Sequence, residues 1–228
     1  MPQTHTDPRY EEQLTELKAA ILRMGGAVER AIEQAIRSLV ERDSSLAQQT
    51  IDLDAAIDGM EVDIDERVTR ILALHAPAAR DLRMILTSAR ISNDLERIGD
   101  LATSIAERAQ ELNREPQLKP FIDLPKMAEM TQQMVREALD AFVKEDADLA
   151  IKVLNSDDPI DALNEQIFRE LLTFMMQDPT TIARALRIIF VSKSFERIAD
   201  HATNIAEMVI FMTKGKVVKH MNVPYDKV

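Results

Sequence analysis

Two carboxylates four residues apart, Glu96 and Asp100, return a hundred positions later as Glu196 and Asp200. Both copies sit in the frame Glu-Arg-Ile-x-Asp-x-Ala-Thr-x-Ile-Ala-Glu, and this long-period echo marks a duplication. A second acidic pair also occurs twice, as Asp54 and Asp58 and then as Asp157 and Asp161. On a helix this spacing puts both acids of a pair on one face, a turn apart, where like charges repel. Oxygen-only ligands suit hard or intermediate cations such as magnesium, manganese or iron, with zinc admissible. The same spacing also serves a solvated acidic face balanced by Arg97 and Arg197 and holding only loose counterions.

The elements that carry these pairs read as helices. Leu14, Leu17, Ile21, Met24, Val28, Ala31, Ala35 and Leu39 recur at steps of three and four and predict a first helix from about Pro8 to Arg42. Gly25-Gly26 interrupts that stripe and marks either a bend or a close helix contact. Asp43-Ser44-Ser45 offers capping oxygens for a second helix, which ends at His75-Ala76-Pro77. A third carries Ile91, Leu95, Ile98, Ala102, Ile105, Ala109 and Leu112.

The second half repeats the plan. A fourth helix is expected from about Phe121 to Lys144, a fifth running to Gln177, and a sixth from about Thr180. The expected fold is all-α: two tandem, sequence-related antiparallel three-helix bundles built from six long helices. The first repeat is placed at 1–114, a linker at 115–120, the second repeat at 121–214 and a flexible tail at 215–228.

Register then brings the acids together. The pairs on the second and third helices centre on positions 56 and 98, midway at Pro77, the turn between them. In the second half the centres are 159 and 198, midway at Asp178-Pro179. Residues equidistant from the turn of an antiparallel hairpin sit side by side, so each half should hold four carboxylates at one level. The Ile91, Leu95, Ile98 and Ala102 stripe puts Glu96 and Asp100 on the opposite, outer face. Four charges held so close call for a cation or a basic partner. Glu61 and Asp65 extend the first acidic stripe, whereas Asn164 and Phe168 stand at the matching positions of the second, so the two sites should differ. Thr103, Glu107, Thr203 and Glu207 lie on the same side as the motif and offer an outer shell or a solubilising surface.

Composition narrows the chemistry. A net charge of −11 disfavours nucleic acid and acidic membrane surfaces as partners. The chain has no cysteine, so no disulfide or thiolate site exists. The polar stretch from Met1 to Tyr10 lacks the apolar core of a signal peptide, and the apolar runs are too short to span a bilayer; the expected location is the cytoplasm. None of the four histidines has a glutamate three residues before it, which argues against a ferritin-like di-iron centre with a storage or redox role. No nucleophile with a base and no phosphate-binding loop is apparent, so catalysis is not expected. A purely structural helical adaptor is the other alternative.

With these residues assembled, the chain resembles the PhoU family of phosphate-specific transport accessory and regulatory proteins. The resemblance spans nearly the whole sequence. It rests on Asp94-Leu-Glu-Arg-Ile-Gly-Asp100, on Phe195-Glu-Arg-Ile-Ala-Asp-His-Ala-Thr-Asn-Ile-Ala-Glu207, and on the helix starts ending in Leu82-Arg83 and Leu186-Arg187. It implies two repeated three-helix bundles, a homodimer, and metal cations, singly or as multinuclear clusters, held by Asp54, Asp58, Glu96, Asp100, Asp157, Asp161, Glu196 and Asp200. It also implies a negative regulator of the phosphate-starvation response, linking the ATPase PstB of the Pst phosphate importer to the sensor kinase PhoR and meeting the membrane only through them. Ala199 in place of Gly99 departs from the motif but spares the carboxylates.

Overall fold

A computed structural model describes residues 8–218; positions 1–7 and, of the tail expected at 215–228, positions 219–228 lie outside them. The elements are α1 (Pro8–Val40), α2 (Ser44–Leu74), α3 (Ala79–Asn113), α4 (Asp123–Lys144), α5 (Ala147–Leu154), α6 (Asp158–Gln177) and α7 (Ile182–Lys214), with one 3-10 turn at Pro179–Thr181 before α7. No strand occurs among the described residues. α1, α2 and α3 form one antiparallel bundle; α4, the α5–α6 rod and α7 form the second.

The duplication is visible in the turns. Asp43 Oδ1 accepts from the Ser45 and Leu46 amides at 2.9 and 3.0 Å, and Asp146 Oδ1 accepts from the Asp148 and Leu149 amides at 3.0 Å each. Each cap satisfies donors that a helix start leaves open. The residue before each cap, Arg42 in one half and Glu145 in the other, takes the left-handed conformation, with φ of 57° and 52°. Arg42 spends its guanidinium on the carbonyls ending α3, at Leu112, Asn113 and Glu115, whereas Glu145 reaches Lys18 of α1 at 2.9 Å and Arg80 of α3.

The expected fifth helix is in two pieces. Asn155 and Ser156 turn their side chains back on the Ile151 and Lys152 carbonyls at 2.8 and 2.7 Å, and Pro159 has no amide to donate. Local side-chain bonds and proline together end α5 and start α6 afresh. Asp157 is therefore the residue preceding α6, not a mid-helix position.

The bundles share one core. α3 runs antiparallel against α7, and α1 meets α4. Asp94 accepts from or pairs with His201 at 2.8 Å, Arg83 donates to the Met212 carbonyl at 3.1 Å, and Arg187 reaches Glu111 and Glu115 at 2.6 and 2.8 Å. Gly25 shows the close contact that the sequence offered: α1 continues unbroken through it, and an added Cβ would lie 2.3 Å from Leu139 Cδ1 of α4. Here glycine permits close approach between bundles.

Candidate functional site

In the first hairpin the two motif turns touch directly. Thr103 Oγ1 on α3 donates to Asp54 Oδ1 on α2 at 3.1 Å, which fixes the two motif turns at one level. Burial pushes the Asp54 carboxyl above its ordinary range, the Thr103 bond opposes that, and the charges of Asp58, Asp100 and Glu107 add to it. Glu96 is likewise pushed up, first by burial, then by Asp100, with Glu61 and Asp58 contributing and Arg97 opposing. Asp54 thus feels Asp100, and Glu96 feels Asp58, the cross-seam neighbours that a turn at Pro77 demands.

The second hairpin repeats this. Burial raises the Asp161 carboxyl, with Glu196 and Asp157 adding to it. Burial also raises Asp200, with Glu196 and Asp161 adding and Lys193 and His201 opposing. Asp157 and Asp161 stay one turn apart, since the Asp161 amide donates to the Asp157 carbonyl at 3.2 Å. Their place at the start of α6 matters electrostatically, because a helix N-terminus favours negative charge. Asp54 and Asp58, in the middle of α2, have no such relief.

Asp58, Asp161 and Asp200 are exposed, but the two motif glutamates are less outward than their angle to the core stripe suggests. Glu96 and Glu196 leave only 16% and 15% of their side chains exposed. Their neighbours are on the facing helix of their own hairpin, Asp58 and Glu61 of α2 near Glu96 and Asp161 of α6 near Glu196. Glu96 Oε2 and Glu196 Oε2 are buried and take no hydrogen bond, Arg97 Nε standing 3.3 Å from the former outside bonding geometry. As the side chains stand, no group of three acids or imidazoles among the described residues converges on a point one ion could fill.

Two features distinguish the sites. Glu61 joins the first, accepting from Asn93 Nδ2 at 3.3 Å, while its counterpart Asn164 accepts from Ser192 at 2.9 Å. More consequentially, Lys193 Nζ lies 2.5 Å from Glu196 Oε1 where the first site has the amide of Asn93, and the cation of the first site is Arg97, which donates to Asp100 at 3.0 Å. Sequence reasoning passed over Lys193; its place three residues before Glu196, a reachable spacing on a helix, was the available signal. Thr203, the echo of Thr103, donates instead to the Asp200 carbonyl at 2.8 Å. Glu107 is exposed beside Arg108, as a solubilising residue would be.

Both acidic sites fall within segments that match a known family. The PhoU domain profile covers residues 21–109 and again 124–209. The chain belongs to the PhoU family. Relatives include the phosphate-specific transport system accessory protein PhoU homolog of Pseudomonas putida, 44% identical over 218 residues that cover 95% of this chain and 85% of that protein. The homolog from Aquifex aeolicus is 42% identical over 212 residues, covering 93% and 96%. The crystal structure of PhoU from Pseudomonas aeruginosa superposes with a TM-score of 0.88 at 43% identity, covering 91% of this chain and all of that one. That of the phosphate transport system regulatory protein PhoU from Streptococcus pneumoniae gives 0.86 at 28% identity, covering 92% and 99%. The two-bundle, all-helical PhoU fold is thus the fold of this chain. No helix among its described residues is long and apolar enough to cross a membrane.

Proposed function

We propose that this chain is a non-enzymatic accessory protein of phosphate-specific transport that restrains the phosphate-starvation response and phosphate uptake. In this reading it works in the cytoplasm as a homodimer and conveys the state of the Pst importer, through PstB, to the sensor kinase PhoR. Its acidic hairpins hold divalent or trivalent cations, in the first through Asp54, Asp58, Glu96 and Asp100, in the second through Asp157, Asp161, Glu196 and Asp200.

The observation that carries the reading is the doubled acidic rung inside both PhoU domains. The donor set is all oxygen, and the buried, unbonded oxygens of Glu96 and Glu196 fit a cation as the missing partner. Rotation of the side chains about their flexible bonds is needed to bring three oxygens to one ion. A bound cation would supply neutralising charge and bridge α2 to α3 or α6 to α7, fixing the geometry of each hairpin for partners.

Deletion of the chromosomal gene should release phosphate-starvation genes under phosphate excess, and this chain should restore repression. Failure to restore it sinks the regulatory reading. Elemental analysis of protein purified without metal-affinity resin should show bound metal that is lost when all eight acids become Asn or Gln; unchanged metal content sinks the cation sites. The unconverged side chains and the Lys193–Glu196 pair favour a second reading, an adaptor whose acids only keep the surface soluble. Partner binding unaltered by metal removal would select it.

A further inference from the structure

The α6–α7 hairpin presents six large apolar side chains to solvent: Phe168, Leu172 and Met176 on α6, and Ile182, Leu186 and Phe190 on α7. Steps of four keep each row on one side of its helix. Phe168 and Phe190, Leu172 and Leu186, and Met176 and Ile182 are each equidistant from Pro179, so the rows lie rung by rung across the turn. Met176 is 79% exposed and Phe190 55%. Taking about half of six large side chains gives roughly 600 Å² of contiguous apolar surface, more than a monomer ordinarily shows. The first hairpin has no such ridge, since Asp65, Thr69 and Ala73 stand where α6 has Phe168, Leu172 and Met176.

We propose that this ridge is the face on which a second copy of the chain docks, through a two-fold axis at the Leu172–Leu186 rung. The inference gives a surface to the homodimer in the reading above and does not depend on bound metal. An antiparallel overlay about that rung sets the Phe168–Phe190 end of one copy on the Met176–Ile182 end of the other. Flat rings then meet an adaptable thioether, a favourable contact, while leucines fill the centre. Two such faces bury about 1,200 Å², the lower end of specific interfaces. The neighbouring charges Arg169–Glu165 and Lys193–Glu196 are already paired within each chain, so the approach leaves them compensated. One self-complementary ridge per chain closes the assembly at two copies, whereas a ridge on both hairpins would propagate it.

The full chain should sediment at twice its monomer mass at micromolar concentration. Leu172→Asp should weaken association at least 100-fold with an unchanged helical circular-dichroism spectrum. Because the chain lacks cysteine, a mixture of Leu172→Cys and Leu186→Cys chains, whose positions face each other across that axis, should yield a disulfide-linked dimer on mild oxidation, and the same mixture with Thr69→Cys, at the matching place in the first hairpin, instead of Leu172→Cys should not. This pair also serves if Leu172→Asp misfolds. A wild-type monomer at high micromolar concentration, as expected if only a different protein covers the ridge, overturns the proposal. So does a dimer indifferent to Leu172→Asp, or equal cross-linking at position 69. Loss of the dimer with repression retained would separate this inference from the regulatory reading.

Discussion

Thr103 and Asp54 join across the α2–α3 seam through a 3.1 Å hydrogen bond, while Thr203, in the same place on α7, bonds to its own helix at Asp200. The two hydroxyls are equivalent in sequence and unequal in task. Asp54 is held among charges that disfavour its ionised form, and Thr103 is the donor that favours it. Thr103→Val should therefore cost about 1 to 2 kcal/mol at neutral pH, the toll of leaving a partly buried carboxylate without its donor. Thr203→Val should cost less than about 0.5 kcal/mol, because only a helical carbonyl loses an extra bond. Urea unfolding of the metal-free variants compares the two; equal losses would mean the seam bond carries no stability.

The raised carboxyls of Asp54, Glu96, Asp161 and Asp200 dictate a sign for pH dependence. Each binds its proton more tightly folded than unfolded. Between the ordinary carboxylate range and the raised folded value, stability from these groups therefore grows as pH falls. Glu137 and Glu145 run the other way: Lys152 and Gln133 hold Glu137 below its usual range, and Lys18 and Arg80 do so for Glu145 against its burial. Their contribution is present above the unfolded value and lost as pH falls through the folded one. Metal-free protein should thus melt highest on the acid side of neutrality and decline below it. Changing the four raised acids to Asn or Gln should increase the melting temperature at neutral pH and remove the acid-side rise. A lower neutral melting temperature for that variant would contradict the repulsion on which the rung depends.

Lys193 predicts a change in cation affinity at the second hairpin, given the proposed metal sites. An ion entering the second hairpin competes with the Lys193 ammonium for Glu196, while in the first Asn93 stands at the matching place and the competing cation is Arg97, bonded to Asp100. Lys193→Asn should tighten manganese binding to the second site several-fold, up to about tenfold, the range an exposed ion pair supports. Asn93→Lys should weaken the first site by a similar factor. Titration calorimetry on chains with the other hairpin neutralised reads each site alone; an unmoved second-site affinity would show Lys193 to be a bystander.

How much of this was legible in the sequence depends on whether the signal was local. The rung at Pro77 followed from register alone, because helix rise and an antiparallel turn leave two equidistant pairs nowhere else to go. The Asp43 cap and its echo at Asp146 followed from residue type. The break before α6 was written in Asn155, Ser156 and Pro159 but was overridden by the repeat, since α2 has no break at the matching place. The depth of Glu96 and Glu196 was not readable. It depends on how closely α2 and α6 lie over these side chains, which a core stripe on α3 or α7 does not report. The Asp94–His201 pair is a contact between halves that neither repeat encodes by itself: its counterparts across the duplication, Ser194 and Leu101, cannot form it.

Two adjacent glycines separate backbone cost from packing. Both lie inside α1, where glycine costs about 1 kcal/mol relative to alanine. At Gly26 an added Cβ meets only the Arg30 guanidinium at 3.8 Å, so Gly26→Ala should stabilise the chain by up to about 1 kcal/mol. At Gly25 the same Cβ would press on Leu139, which is 4% exposed and enclosed by the core that joins α1 to α4. Moving Leu139 costs about 1 to 3 kcal/mol, the usual range for an overfilled core, which cancels or outweighs the gain in helix propensity. Gly25→Ala should therefore be neutral or destabilising, and the two variants should differ by about 2 kcal/mol in denaturant unfolding. Because Leu139 lies across the junction between bundles, the Gly25 variant should also speed hydrogen exchange in α4 before it affects α2. Equal stabilisation by both alanines would mean that α1 and α4 are not in close contact at this point, and the shared core would lose its clearest mark in the sequence.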